Sequence, residues 1–202
     1  GSMTVRRGVL ILAVALALCA AGNWWLQRPI AHAAGVLVDA EPLQREPANP
    51  APIAHGDYQL TPLADFDIEA RVLSRENYSI DDGSDLSPTD LALGWKRMSD
   101  SAVIEQLEIS QSVRFFTYRW SRQPPIPLPE IERSVANMHM IPADAGVARE
   151  LAKVRQGALV HLRGQLVEAR RSDGFQWRSS LTREDTGAGA CELFLVASIE
   201  RL

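Results

Sequence analysis

Hydrophobic and polar positions along this chain follow three rhythms. From Gly8 to Leu26 the residues are apolar with Asn23 as the one strongly polar interruption, and such a run predicts a helix about 28 Å long, enough to cross a bilayer. From Leu63 to Leu73 the chain alternates, with Phe66, Ile68, Ala70 and Val72 on one face and Asp67, Glu69 and Arg71 on the other, the signature of a half-buried strand. Helical spacing returns after Asp144, where Val147, Leu151 and Val154 recur at four and three residues and Gly157 closes the turn.

Shorter signals fill in the order. Ser87-Pro88-Thr89-Asp90 resembles a capped helix start running to about Trp95, and Ser99 and Asp100 can cap a second helix containing Val103, Ile104 and Leu107. Both read as an insertion after strand one. Val113 to Trp120, β-branched and aromatic apart from its arginines, predicts strand two, and the prolines between Pro124 and Pro129 exclude a regular interior strand there. Val135 to Ile141 alternates as strand three. Ala158 to Ala169 is a long strand with Gly164 at a bend position, and Ser172-Asp173-Gly174 is a hairpin turn leading to Phe175, Trp177 and Ser179. The last strand runs from Cys191 to about Ile199. The predicted class is α+β: a small, mostly antiparallel OB-like β-barrel with a helical insertion, preceded by one transmembrane helix.

Flanking residues orient that helix. Arg6 and Arg7 favour a cytoplasmic N-terminus, and Trp24 and Trp25 fall where an aromatic belt meets the far interface. The expected organisation is a tag remnant and cytoplasmic N-terminus over 1–7, a transmembrane anchor over 8–26, a Pro-rich spacer over 27–56 and a periplasmic domain over 57–202, held on a bacterial inner membrane. A signal peptide cut after Ala31-His32-Ala33 and a lipoprotein signal ending at Cys19 are the rival readings.

Charge and cysteine usage narrow the partners. Setting aside Arg6, Arg7 and Arg28 leaves 18 basic residues against 25 acidic ones, so the chain beyond Gly35 is acidic and no nucleic-acid partner is expected. The two cysteines, Cys19 and Cys191, supply no disulfide framework within the soluble part. No HxH, CxxC or HExxH spacing occurs, and no metal or other cofactor is implied.

The segments DLSPTDLALGWKRMSD, LEISQS, SVANMHMIPAD and WRSSLTREDTGAGACE resemble a widespread family of membrane-anchored proteobacterial proteins, over roughly Leu60 to Leu202. The resemblance implies an envelope location and one intact domain; it implies no activity, cofactor or catalytic residue.

Candidate chemistry therefore rests on the residues. Asn137 and His139 share a strand face, Trp177 stands on the strand after the hairpin turn, and the loop from Thr182 to Gly189 offers Arg183, Asp185, Thr186 and glycine-freed backbone amides to a small polar ligand or an envelope protein partner. This favours a non-catalytic binding or interaction module. The second reading is an envelope hydrolase in which His139 serves Cys191 or Asp185, and proximity separates the two.

Overall fold

A computed structural model describes residues 2–182 and 191–202. The fold is α+β and strand-rich, with a mostly antiparallel sheet. The apolar N-terminal run is helical, α1 (Ser2–Leu26), and Val9 through Trp25 expose more than half of each large apolar side chain described. Among the described residues no helix is long and apolar enough to cross a membrane; the expected span includes Asn23 and Leu26, whose side chains lie outside the described ones.

The sheet is built on β3 (Tyr58–Asn77) and β8 (Leu159–Arg171), paired antiparallel over most of their lengths. β4 (Thr89–Gly94) lies along the far end of β3, β7 (Val135–Pro142) along β4, and β10 (Glu192–Arg201) parallel to β7 and antiparallel to β8. Short β1 (Leu43–Arg45) and β2 (Ile53–His55) edge β3, and β9 (Gln176–Arg178) edges β8. Alternation decides what is inside. Phe66, Ile68, Leu91, Leu93, Met138, Met140, Leu162, Phe194 and Val196 form the main core, while their neighbours in sequence turn to the outer face. Gly164 lies opposite Val196 in the β8–β10 pair, and a Cβ there would overlap the Leu195 carbonyl, so this position needs glycine for close backbone approach rather than for its dihedral freedom.

Several expectations meet the structure directly. The strand from Leu63 is the middle of β3, Val135 to Ile141 is β7, and the Asp144-capped helix is α4 (Ala145–Leu151), whose Gly146 and Val147 amides donate to the Asp144 carboxylate. Asp100 caps α2 (Ser101–Ile104) in the same way through the Ala102 amide.

The helix expected after Ser87-Pro88 is instead β4. Leu91 and Leu93 are apolar positions of a period-two pattern, and pairing with strands on both sides outweighs the cap-like residues before them. Strand two also changes place. Val113 to Trp120 yields β6 (Phe115–Arg119), which pairs with β5 (Glu108–Ser112) in a separate two-stranded sheet. That hairpin, α2, a 3-10 turn at Lys96–Ser99 and α3 (Leu128–Arg133) form one insertion between β4 and β7 over a second apolar cluster that includes Leu73, Met98 and Ile131.

The Pro-rich stretch expected as a spacer is extended and lies along the body. The Ile30 amide donates to Gln156, His32 Nε2 lies 2.7 Å from the Gly157 carbonyl oxygen, and the Leu37 and Val38 amides both donate to Ser99 Oγ at 3.0 Å. Ser99 is fully buried and donates in turn to the Lys96 carbonyl. Ser99→Ala leaves one buried and one part-buried amide without their acceptor and is expected to cost about 2 kcal/mol. Hydrogen exchange at Leu37 and Val38 is the check: both amides should lose protection, and unchanged protection would mean that the segment is held by something else.

Candidate functional site

The outer faces of β4 and β7 carry polar residues where apolar ones would be the default. Asp90 and His139 are register partners across the β4–β7 ladder, on the face opposite Leu91 and Met138. Both are buried, Asp90 at 0% and His139 at 2% exposure. Ile141 and Leu193 on one side, and Ala92 and Val135 on the other, belong to separate apolar clusters, so the polar pair sits in the seam between them.

Arg114 reaches this seam from the β5–β6 turn. Its Nη1 donates to Asp90 Oδ1 at 2.7 Å and its Nε to Asp81 Oδ2 at 2.7 Å, while the guanidinium lies 3.8 Å from the Tyr78 ring centre. His139 Nδ1 stands 2.9 Å from the same Asp90 oxygen, but off the axis of a regular hydrogen bond. Asp90 Oδ2 and His139 Nδ1 accordingly have no aligned hydrogen-bond partner among the described residues. One carboxylate oxygen thus faces two cationic side chains. Trp177 closes the seam, its ring 4.6 Å from that of His139 and 5.4 Å from the Arg114 guanidinium.

Burial alone would lower the His139 pKa. The Asp90 carboxylate, with a smaller contribution from the Cys191 sulfur, outweighs it and holds the imidazole up at about 9. The ring is therefore cationic at neutral pH. Asp81 is held below the usual carboxylate range by its hydrogen bonds from Arg114.

Cys191, half-buried, enters β10 at the same place. Its sulfur lies 3.5 Å from Asn137 Nδ2 and 3.9 Å from the Arg114 carbonyl oxygen. Asn137 in turn donates to that carbonyl at 2.9 Å and accepts from Gln111 Nε2 at 2.7 Å. Of the residues singled out in the sequence, Asn137, His139, Trp177 and Cys191 are brought together. Arg183, Asp185 and Thr186, and with them most of the loop from Thr182 to Gly189, lie outside the described residues.

Asp90, Arg114, Asp81 and Tyr78 were not among the residues singled out. The alternation of Asp90 against Leu91 and Leu93 is a period-two signal that could have placed Asp90 on the face of His139. Arg114 has no comparable signal. It is the second residue of a two-residue hairpin turn in which Val113 has φ 52° and Arg114 has φ 69°, positions that favour asparagine and glycine. A β-branched residue there is strained, and the contacts of Arg114 hold the turn in place.

Among the described residues no group of three His, Cys, Asp or Glu side chains is arranged to hold a metal ion. No family model, curated protein or solved structure matches the chain.

Proposed function

We propose that this protein is an interaction module of the bacterial envelope, anchored in the inner membrane by α1, with an OB-like barrel as its frame. The cyclic order of pairings, β3 to β4 to β7 to β10 to β8 and back to β3, with β7 and β10 parallel and α4 between β7 and β8, supports the barrel. The exposed apolar side chains of α1 and the arginine pair ahead of them support the anchor and a periplasmic body.

The observation that carries the interaction reading is the strained turn. Backbone strain persists where surrounding contacts over-determine it, and it concentrates at functional positions. Here Arg114 is fixed by two aspartates, by the Tyr78 ring and by donation of its amide to the Tyr78 hydroxyl at 2.9 Å. The result is display: Val113 is 73% and Ile80 96% exposed, on either side of a recess of about 270 Å³ floored by Tyr78 and Arg114. Two large apolar side chains held outward beside a rigid polar base fit an apolar anchor on a protein partner. The acidic balance of the body favours a partner with a basic rim.

A photocrosslinking residue placed at Ile80 in the full chain is expected to give one discrete adduct in intact membranes. Val113→Asp should remove it while leaving the melting temperature within about 2 °C, as an exposed substitution does. A diffuse smear of products, or an adduct indifferent to Val113→Asp, would reject the site. A reporter fused after Leu202 tests the envelope placement separately, with activity expected only from a periplasmic marker. The hydrolase reading has one observation in its favour, Cys191 in contact with Asn137, two residues from His139 on β7.

A further inference from the structure

The connection between α1 and the body is short. Leu26 ends the helix, and the Ile30 amide already donates to the Gln156 carbonyl at 2.9 Å. The Ile30 side chain packs against the main core and His32 Nε2 meets the Gly157 carbonyl oxygen. A Cβ at Gly157 would overlap the Ile30 carbonyl, so the contact is a close backbone approach. The residues from Leu26 to Ile30 span at most about 14 Å when fully extended. The loop over 153–157, after α4, is therefore held close to the end of α1.

Positive charge gathers at this end of a chain whose overall charge is −4. Arg149 in α4 and Lys153 just after it are exposed and one helical turn apart. Arg201, the last residue of β10, reaches Glu150 at 3.5 Å. Arg28 lies over the Trp24 and Trp25 rings, at 4.7 and 5.0 Å from their centres. Among the described residues, Lys153 and Arg201 share the carboxylate of Glu150, and Arg28 and Arg149 have no ion pair. The carboxylates of Asp100 and Glu200 are engaged elsewhere, by the Gly35 and Ala102 amides and by Arg163.

Resting on the reading of α1 as the anchor, we propose that Arg28, Arg149, Lys153 and Arg201 form a docking surface for the anionic lipid headgroups of the bilayer that α1 enters. Trp24 and Trp25 set the depth, since paired tryptophans settle at the headgroup level and carry the Arg28 guanidinium there with them. Attraction of basic side chains to an anionic leaflet fades over a Debye length of about 8–10 Å. The tether is of the same order, so it keeps these side chains within the range of the lipid field. It also selects the occupant: a gap of at most about 14 Å admits headgroups and excludes a folded domain, whose radius of gyration alone is about 13 Å at 100 residues. Docking gives the body a fixed orientation. β8 leads away from this surface for 13 residues, about 40 Å of extended chain, to the turn at Asp173.

The test uses the full chain reconstituted into vesicles of phosphatidylcholine, alone or mixed with phosphatidylglycerol. A photocrosslinking residue is placed at Gln156 in one preparation and at Asp173 in another. Intact mass spectrometry is expected to show lipid adducts at Gln156, roughly fivefold or more abundant in the mixed vesicles than in phosphatidylcholine alone, with little adduct at Asp173 in either. Salt at about 1 M, where the Debye length falls to about 3 Å, should bring the mixed-vesicle yield down to the phosphatidylcholine level. Arg149→Gln combined with Lys153→Gln should lower it too, at an unchanged melting temperature. Equal yields from Gln156 in the two lipids, or equal yields from Gln156 and Asp173, overturn the docking, and neither comparison depends on a charge variant folding. An alkaline carbonate wash separates this from the anchor. Release of the chain by the wash would overturn the anchor and the docking with it, whereas a chain that resists the wash and crosslinks without regard to anionic lipid overturns the docking alone.

Discussion

Asp90→Asn is expected to lower the stability of the folded body by about 3–5 kcal/mol, because it removes the anion that two buried or half-buried cations share. The substitution keeps the shape of the side chain, so lost packing cannot account for the effect. What remains, among the described residues, is the Arg114 guanidinium with Asp81 as its ionic partner and an enclosed imidazole that has lost its carboxylate neighbour. A loss of this size corresponds to a fall of about 10 °C in Tm for a domain of this length. Thermal unfolding of the full chain in detergent measures it. Arg114→Gln should give a smaller loss, since its partner Asp81 is exposed to solvent and Asp90 retains His139. A double-mutant cycle between Asp90→Asn and Arg114→Gln should show strong coupling, because both act through the 2.7 Å contact. Additive losses, or an Asp90→Asn change below 1 kcal/mol, would show that the cluster does not bind the insertion to the sheet.

The same cluster shows how far the sequence could be read. Asn137 and His139 were recognisable because β7 alternates cleanly and ends at a proline, and their shared face follows from a strand period of two. Trp177 followed from the turn Ser172-Asp173-Gly174, a strong hairpin signal because Gly174 takes φ 98°. Asp90 was hidden by a local conflict. Ser87 and Pro88 imitate a helix cap, whereas the strand state of Thr89–Gly94 is decided by hydrogen bonding to β3 and β7, one close and one distant in sequence. Arg114 was hidden more deeply, since Val113-Arg114 carries no turn residue and the turn exists only because side chains from the 78–90 region and from β7 hold it. Local patterns thus reported strands whose two faces differ in polarity and missed the turn whose conformation is imposed from outside.

The titration of His139 gives the second large effect. Its folded pKa of about 9 lies above the ordinary histidine value of 6.5, so between these limits the folded state holds a proton that the unfolded state has released. The sign follows: this contribution is fully present below about pH 6.5, declines as the pH rises, and is gone once the folded imidazole has lost its proton above about 9. The size is about 3 kcal/mol, and it is not strongly screened because the ring is almost wholly buried. Neighbouring groups do not obscure the window. Asp81, with its lowered pKa, contributes stability that is lost only at acid pH, and the contribution of the Tyr58 hydroxyl, raised to about 12, stays constant up to about pH 10 and is lost only above it. Denaturant unfolding of the full chain at half-unit steps from pH 6 to pH 9.5 should therefore show stability falling steadily. In His139→Asn the slope across this interval should largely vanish, and in Asp90→Asn it should be much reduced, because the Asp90 carboxylate is the main group that raises the imidazole pKa. Stability that is flat or rising from pH 6.5 to 9 in the unaltered protein would mean that His139 is neutral in its seam, and the shared carboxylate would then bind Arg114 alone.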